Sequence, residues 1–171
     1  MADINYALAS LGAVATASSS IHGTTPGQAI DGSDVSFWRG LVSCTLYIDL
    51  GAAQYIESIL WRNPPTGALY RALTVTIGYS NDGITYSAFD PLTNLPFEDT
   101  TFDTGGITAR YWRFVVSSGL NNGAQAQEVQ IIGPSDAPPP PANTNCAAMQ
   151  AWLDGLESYW VPCVEAWLEA N

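Results

Sequence analysis

The chain has no lysine, and its five arginines (Arg39, Arg62, Arg71, Arg110 and Arg113) face 16 acidic residues among 171, for a net charge of −11. A chain so short of cations lacks the basic footprint that nucleic acid and anionic lipid demand, so neither is expected as a partner. There is one histidine, His22. No nucleophile–base signature and no pairing of carboxylates in a plausible cleft is legible, and no enzyme is expected. The three cysteines, Cys44, Cys146 and Cys163, are odd in number and far apart, which excludes a disulfide framework. Without a C-x-x-C or His/Cys cluster they do not suggest zinc either. Cys44 lies among Val42, Leu46 and Ile48 and reads as a small buried hydrophobe. No apolar run approaches transmembrane length, so membrane insertion is not expected. The first ten residues lack the basic start and apolar stretch of a secretory signal. The expectation is a chain that stays in the cell, leaves by lysis or another non-classical route, or was trimmed.

Hydrophobic residues make up 47% of the chain, ample for a core. Between residues 5 and 133 they fall in short segments, at 14–18, 45–51, 55–62, 72–80, 84–89, 110–116 and 128–133. These segments are rich in β-branched and aromatic residues with period-two stretches, and Gly, Asn, Asp and Pro punctuate them. No amphipathic helix of ordinary length interrupts the series. The pattern predicts an all-β sandwich or barrel. Arg110 is expected to meet a carboxylate at a sheet edge, and Asp82-Gly83 to turn a hairpin.

Residues 29–38, AIDGSDVSFW, form the segment around which the chain is organised. Asp31-Gly32 reads as a turn, and Asp31, Asp34 and Ser36 put three hard oxygen donors within six residues. Trp38 closes the stretch as an apolar anchor. Such a loop can wrap Ca²⁺, which takes about six to eight oxygens. The same residues can instead make an Asx-turn that bonds only its own backbone.

Taken in order, Asn5-Tyr6-Ala7, the serine run at 17–20, AIDGSDVSFW, LYIDLG at 46–51, YSNDGITYS at 79–87, ARYWRFVV at 109–116 and EVQIIG at 128–133 resemble a discoidin domain. This is the coagulation-factor type C module of the galactose-binding-like jelly rolls, and the resemblance covers about three-quarters of the chain. It implies a structural Ca²⁺ held by the Asp31 side chain, the backbone carbonyls of Ala29 and Asp34, the carbonyl and hydroxyl of Ser36, and Glu128. It also implies a ligand site on loops at one end of the sandwich. Arg39 stands where sugar-binding relatives often carry a histidine, and Arg62 fits their arginine position. The late loop at 117–125 has no aromatic, although Asn121 and Asn122 can bond hydroxyls. Tyr70, Trp61 and His22 are the candidates for stacking. A sugar needs a ring for its C–H patch beside fixed donors for its hydroxyls. Leu69 could act as a lipid-binding spike, but the acidic surface opposes that use.

After residue 133 the composition changes. Residues 134–145, PSDAPPPPANTN, are a proline-rich linker. Beyond it, 146–171 predicts a short helical segment with Met149, Leu153, Leu156, Trp160, Cys163 and Trp167 at spacings of 4, 3, 4, 3 and 4, a heptad seam widened by Trp152. Pro162 costs about 3 kcal/mol inside a helix, so one kinked helix and two short ones are both open. A disulfide between Cys146 and Cys163 would require a helical hairpin, because in one continuous helix they are about 25 Å apart. So aromatic a segment must fold back, self-associate as a homo-oligomer, or insert into a larger assembly.

The expected architecture is therefore a galactose-binding-like jelly-roll β-sandwich over 1–133, a linker over 134–145 and an oligomerisation or anchoring segment over 146–171. The leading functional expectation is a non-enzymatic binding or adhesion module for a carbohydrate or cell-surface receptor. It would be displayed through its tail on a larger assembly, outside the cell or on a phage virion. The alternatives are a structural decoration or cementing subunit with only protein–protein contacts, and an accessory module cut from a secreted glycosidase.

Overall fold

The structure, a computed structural model, describes residues 3–135 except 67 and 98. The chain divides into two units, Met1–Ser135 and Asp136–Asn171. The tail residues singled out by their spacing, from Met149 to Trp167, and the linker beyond 135 lie outside the described residues.

Among the described residues ten strands follow in order: β1 (Asp3–Asn5), β2 (Val14–Ala17), β3 (Trp38–Leu41), β4 (Cys44–Arg62), β5 (Ala72–Ser80), β6 (Ser87–Ala88), β7 (Leu92–Thr93), β8 (Asp99–Gly119), β9 (Gly123–Ala126) and β10 (Glu128–Pro134). The large sheet runs β1-β10-β4-β8-β5-β6, with β2 on β4 and β7 on β5, while β3 and β9 pair separately. Among the described residues these strands pair antiparallel throughout. The all-β galactose-binding-like sandwich is the observed fold.

β4 and β8 are long enough to serve both layers. Their register shifts between Asp49 and Gln54 and again between Ile56 and Ser58. Such irregularities bend a ribbon and increase its twist. On one side of the bend β4 pairs with β2, on the other with β10. The segments expected at 45–51 and 55–62 are thus two halves of one bent strand. Trp61 of the second half packs on Phe114 of β8, which pairs with the first half, their ring centroids 5.8 Å apart. Alternation along β4 and β8 puts Leu46, Ile48, Ile59, Trp61, Trp112, Phe114 and Val116 in the core. Burying each large side chain is worth about 1.5–3 kcal/mol.

Both ends of the unit are tied together. The Asn5 side-chain oxygen accepts the Ile131 amide at 3.0 Å, and the Tyr6 hydroxyl donates to the Pro134 carbonyl at 2.7 Å. At the far edge, the Asp82 carboxylate accepts the Ile84 and Thr85 amides at 2.8 Å each. These bonds hold its pKa down to about 2. The strand expected over 84–89 shrinks to Ser87–Ala88, because the turn captures its first amides. Arg110 does find its carboxylate, with Nε and Nη2 on Asp49 at 2.7 and 2.9 Å. Cys44 is buried and free, and burial pushes its thiol up to about 11. No helix among the described residues is long and apolar enough to cross a membrane.

Candidate functional site

The loop end of the sandwich is fixed by a row across three strands, in which Arg62 of β4 faces Asp99 of β8 and Glu128 of β10. Residues 29–38 lie against this row. A 3-10 turn over Pro26–Ala29 precedes them, with the Gln28 side chain accepting the Thr25 amide at 2.7 Å in a capping box. Gly32 takes φ +75°, which only glycine adopts freely, so the chain reverses directly after Asp31. The Asp31 carboxylate accepts the Ser33 amide at 2.9 Å and the Ser36 hydroxyl at 2.9 and 2.7 Å. Asp34 leaves the loop to pair with Arg62, and its carbonyl accepts from the Gln127 side chain.

Trp38 ends the loop with no exposed surface. Its indole N–H donates to the Ser19 carbonyl and the Ser20 hydroxyl, each at 3.1 Å. One side chain therefore pins the segment before β3 to the loop that leads into it.

Glu128 is the anomaly of this end. It is 1% exposed, and among the described residues neither carboxylate oxygen has a hydrogen-bond partner. Burial pushes its pKa from the ordinary 4.5 to about 7; the charges of Asp31 and Asp34 add to the rise, while the Gly32 amide and Arg62 oppose it. Burying an unpaired carboxylate is costly, and a cation is one means of compensating it. The arginine that faces Glu128, Arg62, is already taken up by Asp99 at 2.6 Å and by Asp34. The local charge is thus negative and suits a divalent cation.

Among the described residues no three His, Cys, Asp or Glu side chains form a metal cluster. A cation here would therefore lean on carbonyls. The Asp31 and Glu128 carboxylates, the Ser36 hydroxyl and the carbonyls of Ala29, Asp34 and Ser36 make an all-oxygen set, and the orphaned Glu128 oxygens fit a hard ion such as Ca²⁺. Bound there, the ion would supply charge and fix the loop.

A second group sits at the same end. Arg39 and Gln125 face each other across β3 and β9, and the Gln125 side-chain oxygen accepts from Arg39 Nε at 3.3 Å and Nη2 at 2.8 Å. The guanidinium also lies 4.4 Å from the Tyr70 ring centre and 4.8 Å from that of Phe37. His22, exposed and at φ +55°, has its ring 5.9 Å from that of Tyr70. Tyr70 closes over Gly123, where any β-carbon would collide with the ring. Asn121 donates to the Leu69 carbonyl at 2.5 Å, and the Asn122 carbonyl accepts the Val42 amide at 3.1 Å.

The structure thus brings together His22, Arg39, Tyr70 and the Asn121–Asn122 turn. Trp61 does not join them. It is 1% exposed, donates to Asn63 at 3.1 Å and packs on Phe114, so the stacking role considered for it is corrected to a core role. Its parity with Ile59, opposite to that of Arg62, is the physical reason. Arg62 borders a separate open recess of about 370 Å³, shared with Asn63, Pro65, Phe97, Asp99 and Gln127. Its three guanidinium nitrogens are all engaged by Asp34 and Asp99. Phe37 and Gln125 were not foreseen from the sequence. Gln125 lies in GAQA, which carries no strand signature, so only the β3–β9 register reveals it.

Comparison with known proteins gives a family model, described as a NedA-like, galactose-binding domain of the F5/F8 type C class, that matches residues 28–114. The family 32 CBM of Clostridium perfringens NanJ, solved with galactose, is 21% identical, with a TM-score of 0.62 over 71% of this chain and 93% of that one. A chitosan-binding module from a Paenibacillus sp. IK-5 chitosanase/glucanase is 23% identical, with a TM-score of 0.66 over 76% and 99%. A fucose-binding module of Streptococcus pneumoniae is 16% identical, with a TM-score of 0.67 over 77% and 99%. A search of curated proteins finds no match.

Proposed function

The chain belongs to the F5/F8 type C family of NedA-like, galactose-binding domains, and on that premise we propose that residues 3–135 are a non-catalytic carbohydrate-binding module. The observation that carries this reading is the cluster of Tyr70, His22 and Arg39 at one end of the sandwich, with Gln125 fixing the guanidinium. Ring surface beside immobilised donors is what a sugar's C–H patch and hydroxyls require. The similarity to modules solved with galactose, or described as chitosan- or fucose-binding, supports the same ligand class. Ca²⁺ at the Asp31–Glu128 set would act as a structural ion that holds residues 29–38 in place.

A glycan array followed by calorimetric titration of the sugars it selects tests the module. Tyr70→Ala is expected to weaken the selected sugar by about tenfold, because the ring also holds Arg39. Melting should change little, since Tyr70 is only partly buried. A blank array at millimolar sugar would refute the reading.

We extend the proposal to the tail. Residues 146–171 tether the module to an oligomer or a larger assembly, of which a virion surface is one setting. The support is the heptad spacing and the three tryptophans, Trp152, Trp160 and Trp167. Native mass of the whole chain and of a version ending at residue 135 tests it. The whole chain is expected to be multimeric and the shortened one monomeric; equal masses per chain would remove the tether.

A further inference from the structure

We propose that the site's ligand is an acidic sugar, one whose carboxylate or sulfate is read by Arg39. This rests on the carbohydrate-binding reading above and specifies its substrate class.

Cations are scarce in this chain, and carboxylates claim two of them. Arg62 is paired with Asp34 and Asp99, and Arg110 with Asp49. Arg39 is held against rings instead, as Arg71 is against Phe97 and Arg113 against Tyr86, and it is the one that lies with His22 and Tyr70 in the cluster described above. Among the described residues no carboxylate lies within ion-pair distance of it. Its neighbours are two rings and one neutral amide oxygen. None of these neutralises its charge.

The geometry of this cage sets which part of the guanidinium is left over. Phe37 and Tyr70 lie against the group, and Gln125 takes the Nε–Nη2 edge. No hydrogen bond among the described residues engages Nη1. The Nη1–Nη2 edge is left with two parallel N–H groups already held in position. That fork matches the two oxygens of a carboxylate or of a sulfate, and holding it beforehand reduces the entropy lost on binding. A neutral hydroxyl would use only one of the two hydrogens and none of the charge.

His22, Asn121 and Asn122 at the same rim suit the remaining hydroxyls of the sugar. The overall charge of −11 works against an anion at long range. At about 0.1 M salt, charges beyond roughly 10 Å are largely screened, whereas the contact pair at Arg39 is not.

The test uses the whole chain and three sugars that share one ring: galactose, galacturonic acid and galactose 6-sulfate, titrated at low and at moderate salt. At least one anionic sugar is expected to bind about tenfold tighter than galactose at low salt, with the advantage shrinking as salt rises. Comparison of the two anions separates a carboxylate source from a sulfate source. Arg39→Gln should bring the anionic and neutral sugars within about twofold of each other, and Arg39→Lys should restore part of the salt-dependent preference. Galactose binding as tightly as both anions in the unmodified chain would overturn the inference while leaving the sugar-binding reading intact, as would an undiminished preference in a folded Arg39→Gln. No binding of any of the three sugars, together with a blank array, would remove both readings.

Discussion

Calcium is expected to raise the melting temperature of this protein at pH 8 by roughly 10 °C at a concentration 100-fold above its dissociation constant, and Glu128→Gln to abolish the response. Saturation of that degree contributes about 2.7 kcal/mol, which in a unit of this size corresponds to a shift of that order. Glu128 is buried, and among the described residues neither of its carboxylate oxygens has a hydrogen-bond partner. The sign of the pH dependence follows from its pKa, raised from 4.5 to about 7 in the folded chain. Between these values the folded state binds more protons than the unfolded one, so stability falls as pH rises through the window. Below 4.5 Glu128 is protonated in both states and adds no penalty. Above 7 the full penalty applies, on the order of 3 kcal/mol.

Without metal, the unmodified protein should therefore lose stability from pH 5 to pH 8 relative to Glu128→Gln. Comparison with the variant cancels groups that titrate the other way, such as Asp49 and Asp82, whose pKa values are lowered. Calcium should erase the loss, because it compensates the ionised carboxylate. Denaturant melts of both proteins at the two pH values, with calcium and with chelator, provide the measurement. Identical melts with calcium and chelator would remove the ion from the account. A Glu128→Gln variant that still responded would move the ion elsewhere.

Much of the fold was legible because its signals are local. β5 carries four β-branched residues in a row, Thr74 to Ile77, alternately polar and apolar, Asp82-Gly83 announces its turn, and the inward set of β4 follows a period of two. What could not be read depends on contacts distant in sequence. β9 is four small or amide residues and is a strand only because β3 accepts it. The continuity of β4 through Gly51 depends on a bend shared with β8. The site divides in the same manner. Asp31 and Ser36 could be placed together because a five-residue separation across a glycine turn brings their oxygens within 2.9 Å. The unpaired state of Glu128, 97 positions later, could not, because it reflects a burial that only the closed sandwich creates. Arg39 was legible by position, but its amide and ring partners come from three separate segments.

Truncation of Trp38 to alanine should be the most damaging single change at this end of the molecule, costing about 3–5 kcal/mol. The indole is wholly buried, so its removal leaves a cavity beneath β3. It also removes the donor that serves both the Ser19 carbonyl and the Ser20 hydroxyl. Trp38→Phe keeps most of the ring and loses chiefly the N–H bonds, which places it near 1–2 kcal/mol. The two variants separate packing from hydrogen bonding. Function should follow stability here: Trp38 neighbours Arg39 in sequence and anchors residues 29–38, so sugar and calcium binding should weaken together in Trp38→Ala, even below its melting temperature. The pairing of the two losses distinguishes a keystone from a ligand contact. If sugar binding vanished while the melt and the calcium response stayed as they were, the indole would be touching the ligand, and the arrangement of this loop end would have to be redrawn around it.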